Sequence, residues 1–340
     1  MIQPPFKLAL VLGGGNALGS YQAGVYQALY ENGHEPDWIV GTSAGAINGA
    51  LIAGNAPDDR LSRLAELWQP APPGTDQPWW PQPDETLRRT AAVMMTLAGG
   101  RPGFFGPVGP LGSWWDPDPI AVAPSLFDLK PLTATLARLV DFDRLNCGNM
   151  RYTAGAVDLE SGDDVYFDTD RQTVSADHVR ASASLLPTFP PVEIDGRAYV
   201  DGGLSSNLPL DPVLAAPPAG TTLCITADLL PLADRRPRTL GESMSRAQNL
   251  TFAAQSRRTI EHWKAVYALD PQRQAASVTL VRLSYTDQAS EVAGKAMDFS
   301  PESIRHRWQA GHRDTLAMLA RLTSDDIALG RAGLTISQME

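Results

Sequence analysis

The chain has 340 residues, of which 43% are hydrophobic and 19% charged, and its formal net charge is −10. These proportions exclude a globally disordered chain and leave enough apolar side chain for one large domain or two smaller ones. The acidic balance and the lack of a Lys/Arg-rich run argue against a nucleic-acid partner, because neutralising phosphates requires clustered cations. Two cysteines, Cys147 and Cys224, are too few for a disulfide framework, and we interpret both as buried thiols.

The first 55 residues predict the start of a parallel α/β fold. Residues 8–12 form an unbroken apolar run, typical of a strand covered on both faces, and three glycines follow at 13–15. Apolar residues then recur at helical spacing, which predicts a helix that ends at Gly33. A second apolar strand at 38–40 leads into a tight turn and a helix of small residues at 46–53. This order indicates a mostly parallel central sheet flanked by helices.

Residues 69–124 differ in composition from the rest of the chain. They hold 12 of the 28 prolines and four of the eight tryptophans, so we expect an irregular insertion that covers the core or acts as a lid. Its larger apolar side chains would shield an acyl chain or touch a bilayer, with peripheral membrane contact through 79–115. They could equally be core or bury a homodimer interface. They are Met94, Met95, Phe104, Phe105, Trp114 and Trp115, besides the pair Trp79-Trp80.

The remaining elements suggest two parts of the chain. We predict a catalytic domain over 1–230 and a C-terminal helical extension over 231–340, packed on the same unit. Asp195-Gly196 predicts a type I′ hairpin turn, because this pair readily adopts positive φ angles. The other predicted elements are helices at 86–98, 129–139, 239–269 and 301–322, and strands at 150–158, 163–167, 222–227 and 278–283.

The turn after the second strand carries the pattern Gly-x-Ser-x-Gly. Gly41, Ala44 and Gly45 surround Ser43 between an apolar strand and a small-residue helix, which is the context that a nucleophile elbow requires. Small neighbours leave the serine oxygen accessible, and the helix N-terminus favours negative charge nearby. We therefore predict that Ser43 is a nucleophile rather than an ordinary helix cap.

The glycine loop after the first strand predicts an anion or oxyanion site. Backbone N–H groups of Gly13, Gly14, Gly15 and Asn16 can point toward one position between strand and helix. A dinucleotide site is the competing interpretation. The third glycine of the Gly-x-Gly-x-x-Gly pattern would fall at position 18, where Leu18 stands. The acidic residue that a dinucleotide site needs at the end of the next strand is also missing.

A carboxylate follows the predicted hairpin directly. The second hairpin strand ends at Asp201, beside Gly202 and Gly203, and by itself this sequence would indicate only a turn. A Ser-Asp-His triad is disfavoured, because of the five histidines only His306 and His312 follow late enough. Both of these lie in a polar helical pattern.

Together, Gly13-Gly14-Gly15, the elbow at 41–45 and Asp201-Gly202-Gly203 resemble the motifs of the patatin-like phospholipases, at the same order and spacing. The resemblance covers roughly residues 6–212, and the remainder resembles a bacterial branch with an extra C-terminal helical segment. It implies a three-layer patatin-like fold with a mostly parallel sheet. It also implies a Ser43-Asp201 dyad, an acyl-enzyme, and neither cofactor nor metal. One departure is that no basic residue follows the glycine loop, where Asn16-Ala17-Leu18-Gly19 stands.

These inferences favour a serine hydrolase that acts on lipid carboxyl esters, similar to a phospholipase A or lysophospholipase. Two alternatives stay open: an esterase or acyltransferase for small soluble acyl esters, and a catalytically weak, lipid-binding regulatory protein of the same fold. Because no signal sequence and no membrane-spanning stretch is predicted, we expect a cytoplasmic protein, peripheral to the inner face of the membrane where it meets lipid.

Overall fold

A computed structural model describes residues 6–69, 84–108, 125–324 and 326–338 of the chain. The strands are β1 (Lys7–Leu12), β2 (Trp38–Thr42), β3 (Gly106–Pro107), β4 (Phe127–Asp128), β5 (Arg151–Asp158), β6 (Asp164–Asp168), β7 (Val192–Ile194), β8 (Arg197–Asp201), β9 (Thr221–Asp228), β10 (Ser277–Ser284) and β11 (Gly333–Gln338). The helices are α1 (Ser20–Glu31), α2 (Ala44–Ala53), α3 (Pro57–Trp68), α4 (Glu85–Gly99), α5 (Lys130–Leu139), α6 (Phe142–Cys147), α7 (Ala176–Ser182), α8 (Asp211–Ala215), α9 (Leu240–Leu269), α10 (Pro271–Ala275) and α11 (Pro301–Thr323).

The main sheet is mostly parallel. Its strand order is β11-β10-β9-β1-β2-β5-β8-β7, and β6 pairs with β5 outside this order. The pairs from β11 to β5 are parallel, whereas β6, β7 and β8 add antiparallel pairs. β2 is buried along its whole length, as expected for a parallel strand covered on both faces. The predicted α/β fold is confirmed.

Helices cover both faces of this sheet. Along β1, Leu8, Leu10 and Leu12 pack into a core that includes α1, α2, α5 and α11. Ala9 and Val11 point the other way and pack with α8 and α9. This alternation follows from the two-residue period of a strand, and it produces three layers. None of the helices within the described ranges is long and apolar enough to cross a bilayer.

Residues 231–340 contribute strands as well as helices. β10 pairs with β9, and β11 pairs with β10, so this part of the chain continues the main sheet. The sequence does not predict β11, because its residues are half-exposed at the sheet edge and form no apolar run. The predicted division of the chain at residue 230 stays a prediction.

The apolar residues of the insertion divide into two groups. Phe104 and Phe105 are buried, whereas Met94 and Met95 on α4 are 61% and 71% exposed. The tryptophan pairs at 79–80 and 114–115 lie outside the described residues.

Two local predictions have different outcomes. Asp195 and Gly196 have φ angles of 51° and 77°, which confirms the predicted hairpin turn. Cys224 is buried, but Cys147 is exposed, because it lies at the end of the short helix α6 and not in a strand.

The C-terminal helix α11 contacts α1 through two glycines. A Cβ on Gly311 would lie 2.0 Å from the carbonyl oxygen of Tyr21, and a Cβ on Gly24 would lie 1.9 Å from that of Trp308. Only a hydrogen atom at these two positions allows the backbones to approach so closely. The last long helix is thereby fixed against the first.

We expect Gly311→Ala to lower the free energy of unfolding by about 2 kcal/mol or more, because the new methyl group must displace backbone atoms. Gly99→Ala is the matched control, since its methyl group would meet no atom within 4 Å. That control should change stability by less than about 1 kcal/mol. Chemical denaturation compares the two variants, and a Gly311→Ala protein as stable as the wild type would contradict the importance of this contact.

Candidate active site

Two strand ends meet along one edge of β5. Thr42, the last residue of β2, pairs with Gly155, and Asp201, the last residue of β8, pairs with the adjacent Ala156. β6 pairs with residues 153–157, so β2 and β8 must share the opposite edge. β2 runs parallel to β5 and β8 antiparallel, and they therefore end facing each other. This register brings Ser43 beside Asp201.

Ser43 occupies a strained turn between β2 and α2. Its φ of 56° and ψ of −121° are unusual for a residue with a side chain, and such strain is typical of a nucleophile elbow. The turn needs small neighbours, because a Cβ on Gly41 would lie 2.4 Å from the backbone of Gly45. Ala44 is the first residue of α2, so the helix N-terminus lies at the serine.

The residues at the end of α7 connect the serine and the aspartate. The Ser43 N–H donates to the carbonyl oxygen of Ser182 at 3.0 Å and to its Oγ at 3.1 Å. The Asp201 N–H donates to the carbonyl oxygen of Ser184 at 3.1 Å. Ser182 Oγ in turn donates to the carbonyl oxygen of Gly155 at 2.6 Å. One short segment thus fixes both backbones.

Asp201 is a buried carboxylate with few stabilising partners. It is 2% exposed, and Oδ1 accepts a hydrogen bond from the Gly203 N–H at 2.7 Å. Burial raises the pKa of this carboxyl from 3.8 to about 7, even though the hydrogen bonds from Gly203 and from the Ser43 hydroxyl lower it. Gly202 packs tightly here, since a Cβ on it would lie 2.6 Å from the Gly155 carbonyl oxygen. The Asp201 carboxylate is therefore a stronger base than an ordinary aspartate, and it lies beside Ser43.

The glycine loop lies against the serine, but only part of it can bind an oxyanion. The Gly13 N–H donates to the Ala227 carbonyl oxygen at 3.2 Å, and the Gly14 N–H donates to that of Asn207 at 3.0 Å. Within the described residues, the N–H groups of Gly15 and Asn16 donate to no protein acceptor. Both residues line the cavity at Ser43, so of the four amides predicted from the sequence these two are available.

A buried polar network holds the glycine loop from behind. Gln22 Nε2 donates to the Gly13 carbonyl oxygen at 2.6 Å, and Gln22 Oε1 accepts from Asn48 at 2.9 Å. Asn48 also donates to the Gly19 carbonyl oxygen and accepts from the Trp68 indole. Side chains of α1, α2 and α3 thus position the loop, and burying them without these bonds would be costly.

A cavity of about 90 Å³ opens at Ser43. Its polar end includes Gly15, Asn16 and Asp201, and its wall is apolar. The wall is formed mainly by Ile47, Phe104, Phe105, Leu129, Leu185, Phe189, Leu230, Phe252 and Met297. None of the five histidines is among the residues that line it. Among the described residues that line the cavity, Asp201 is therefore the side chain that can act as a base at the serine.

Comparison with known families agrees with these motifs. A family model described as patatin-like phospholipase matches residues 10–214, and a model described as patatin phospholipase matches residues 245–326. The first match contains the glycine loop, the elbow and Asp201.

Individual relatives are distant. An uncharacterized NTE family protein of Mycobacterium tuberculosis is 26% identical over 250 residues, which cover 73% of this chain and 57% of that protein. Lysophospholipase NTE1 of Candida glabrata is 25% identical over 310 residues, which cover 85% of this chain and 15% of that protein. The chain thus spans little more than half of the first relative and a small part of the second. The crystal structure of VipD from Legionella pneumophila has a TM-score of 0.46 and 15% identity, over 93% of this chain and 67% of that one.

The raised pKa of Asp201 predicts a pH-dependent cost in stability. Because the folded pKa of about 7 exceeds the reference value of 3.8, proton binding favours the folded state. The stabilisation that this bound proton gives the folded state is complete below about pH 4 and is lost as the pH rises to about 7. Asp201→Asn, which resembles the protonated form, should therefore be more stable than the wild type by up to roughly 4 kcal/mol above that range.

Denaturation at a series of pH values measures this difference, which should vanish near pH 4. The control is Asp163→Asn, because the Asp163 side chain is exposed. A stability difference for Asp201→Asn that stays constant with pH would contradict the raised pKa.

Proposed function

The chain belongs to the patatin-like phospholipase family, and on this premise we propose that it is a serine hydrolase that cleaves carboxylic esters of lipids. The observation that carries the proposal is the strand register that brings Ser43 beside Asp201, a buried aspartate of raised pKa. The N–H groups of Gly15 and Asn16, which donate to no acceptor within the described residues, lie at the same cavity. A nucleophile, a base and an oxyanion site are the parts that acyl transfer requires.

In the first half of the reaction, Ser43 Oγ attacks the ester carbonyl carbon and its proton passes to Asp201. The carbonyl oxygen becomes an oxyanion, which the Gly15 and Asn16 N–H groups and the N-terminus of α2 stabilise. The carbon–oxygen bond to the alcohol then breaks, and the departing oxygen takes the proton from Asp201. The acyl group remains on Ser43.

In the second half, water replaces the alcohol. Asp201 accepts a proton from the water as its oxygen attacks the acyl carbon, and the same amides hold the second oxyanion. The bond to Ser43 breaks, the serine oxygen recovers the proton from Asp201, and the carboxylic acid leaves. One carboxylate can serve both steps because burial has moved its pKa close to neutral pH.

The cavity supports an acyl group as the part of the substrate that the protein encloses. Its wall is aliphatic and aromatic, and its polar groups are concentrated at the serine. An acyl chain would pack against Phe105 and Phe189, whose ring centroids are 5.2 Å apart. The lysophospholipase name of the Candida glabrata relative supports the same substrate class.

We expect a fluorophosphonate to label the wild-type protein once, and Ser43→Ala to remove both the label and ester hydrolysis. Ser205→Ala, which changes an exposed serine near the site, is the matched control and should still react.

Asp201→Asn should slow fluorophosphonate labelling by about 10²- to 10⁴-fold. Wild-type labelling should rise with pH through about 7, since only ionised Asp201 accepts the proton. Intact mass spectrometry measures the adduct, and labelling of Ser43→Ala would contradict the assignment.

Peripheral contact with a lipid surface through α4 is part of the proposal. Leu87, Met94, Met95 and Leu97 on this helix are between 46% and 71% exposed, which is costly in water. α4 also adjoins the cavity: a Cβ on Gly294 would lie 2.9 Å from Val93, and the neighbouring Met297 lines the cavity. Insertion of these side chains would bring the opening close to the acyl esters of a bilayer.

The double variant Met94→Ser/Met95→Ser should bind phosphatidylcholine vesicles at least about tenfold more weakly, because two side chains lose their transfer free energy. Its hydrolysis of a soluble p-nitrophenyl ester should not change. Leu269→Ser is the control, since Leu269 is the last residue of α9 and is 81% exposed. Vesicle sedimentation measures binding, and equal binding by the double variant and the control would exclude α4 as the contact.

A further inference from the structure

Helix α9 contacts the residues that follow Asp201. Gln255 Nε2 donates to the Gly203 carbonyl oxygen at 3.1 Å, and Gln255 Oε1 accepts from the Asn207 N–H at 2.9 Å. One side-chain amide thus bridges two backbone groups four residues apart. Gln255 lies beyond the first family match and within the second, at residues 245–326.

Gly203 and Asn207, the two bridged residues, also bind parts of the proposed active site. The N–H of Gly203 donates to Oδ1 of Asp201 at 2.7 Å. Asn207, which is 3% exposed, holds Gly14 on two sides. Its carbonyl oxygen accepts from the Gly14 N–H at 3.0 Å, and its Nδ2 donates to the Gly14 carbonyl oxygen at 3.2 Å.

These contacts form two continuous chains of hydrogen bonds that begin at one side chain. The first runs from Gln255 through Gly203 to the carboxylate, and the second runs from Gln255 through Asn207 to the glycine loop. Gln255 itself does not line the cavity. A displacement at Gln255 would therefore move the base and the oxyanion amides relative to Ser43 without altering the apolar wall.

We propose that Gln255 is a positioning residue that holds the Asp201 carboxylate and the glycine loop in register with Ser43. This inference rests on the proposed function for its catalytic consequence, but the bridge itself is a property of the fold. It assigns a role to helix α9, which lies beyond the first family match at residues 10–214. A glutamine suits the position because its end group carries a donor and an acceptor side by side.

The test compares Gln255→Met, which keeps the length of the side chain and removes both hydrogen bonds, with the wild type. We expect kcat for a p-nitrophenyl ester and the rate of fluorophosphonate labelling to fall by about 10- to 100-fold, with KM nearly unchanged. Thr251→Ala, one turn earlier on α9 and with an exposed side chain, is the control and should behave as wild type. Gln255→Ala makes the same comparison if the methionine crowds its surroundings.

Hydrogen exchange provides a readout that does not depend on activity. Peptides covering residues 13–19 and 201–208 should exchange faster in Gln255→Met, whereas peptides from α5 should not change. Unchanged exchange in both segments, or an unchanged kcat and labelling rate, would overturn the proposal. If the wild type fails to label with fluorophosphonate, the proposed function fails, and the exchange data still decide whether Gln255 holds the two segments.

Discussion

The arrangement of the site depends on the edge of β5 that β2 and β8 share. Two strands of opposite direction can share one edge only if they do not overlap, and here their last residues, Thr42 and Asp201, face each other. The elbow and the Asp-Gly-Gly turn are therefore consequences of strand register. A slip of one residue in either strand would turn its side chains to the opposite face and separate Ser43 from Asp201.

The carboxylate at this junction is held in an environment that opposes its charge. Most buried acids are paired with a cation, but among the described residues Asp201 has none beside it and accepts a hydrogen bond from the Gly203 N–H. The same desolvation that makes it a stronger base destabilises the folded protein. The surrounding structure must supply the compensating stability, and the close packing of α11 on α1 is one visible source.

The sequence predicts the proposed reacting residues better than the residues that support them, because the signals for the former are local. Ser43 and Asp201 lie in turns that five or fewer residues define, and strand-end turns have recognisable compositions. Gln255 and Asn207 carry no such signal, because their importance arises from partners 48 and 193 residues away in the chain. The hydrogen bond from the Gly14 N–H to Asn207 cannot be predicted for the same reason, so the sequence suggests four loop amides where, among the described residues, two have no acceptor.

Long-range supports of this kind also explain why the C-terminal part of the chain is integrated into the fold. β10 extends the sheet beside β9, α9 reaches the loop after Asp201, and the segment before α11 contributes Met297 to the cavity wall. Buried ion pairs from Arg89 and Arg307 to Glu291 anchor that segment to α4 and α11. Since such pairs are costly to break singly, the wall they hold is fixed in position. The cavity is therefore built jointly by the motif-bearing half of the chain and by residues that no motif marks.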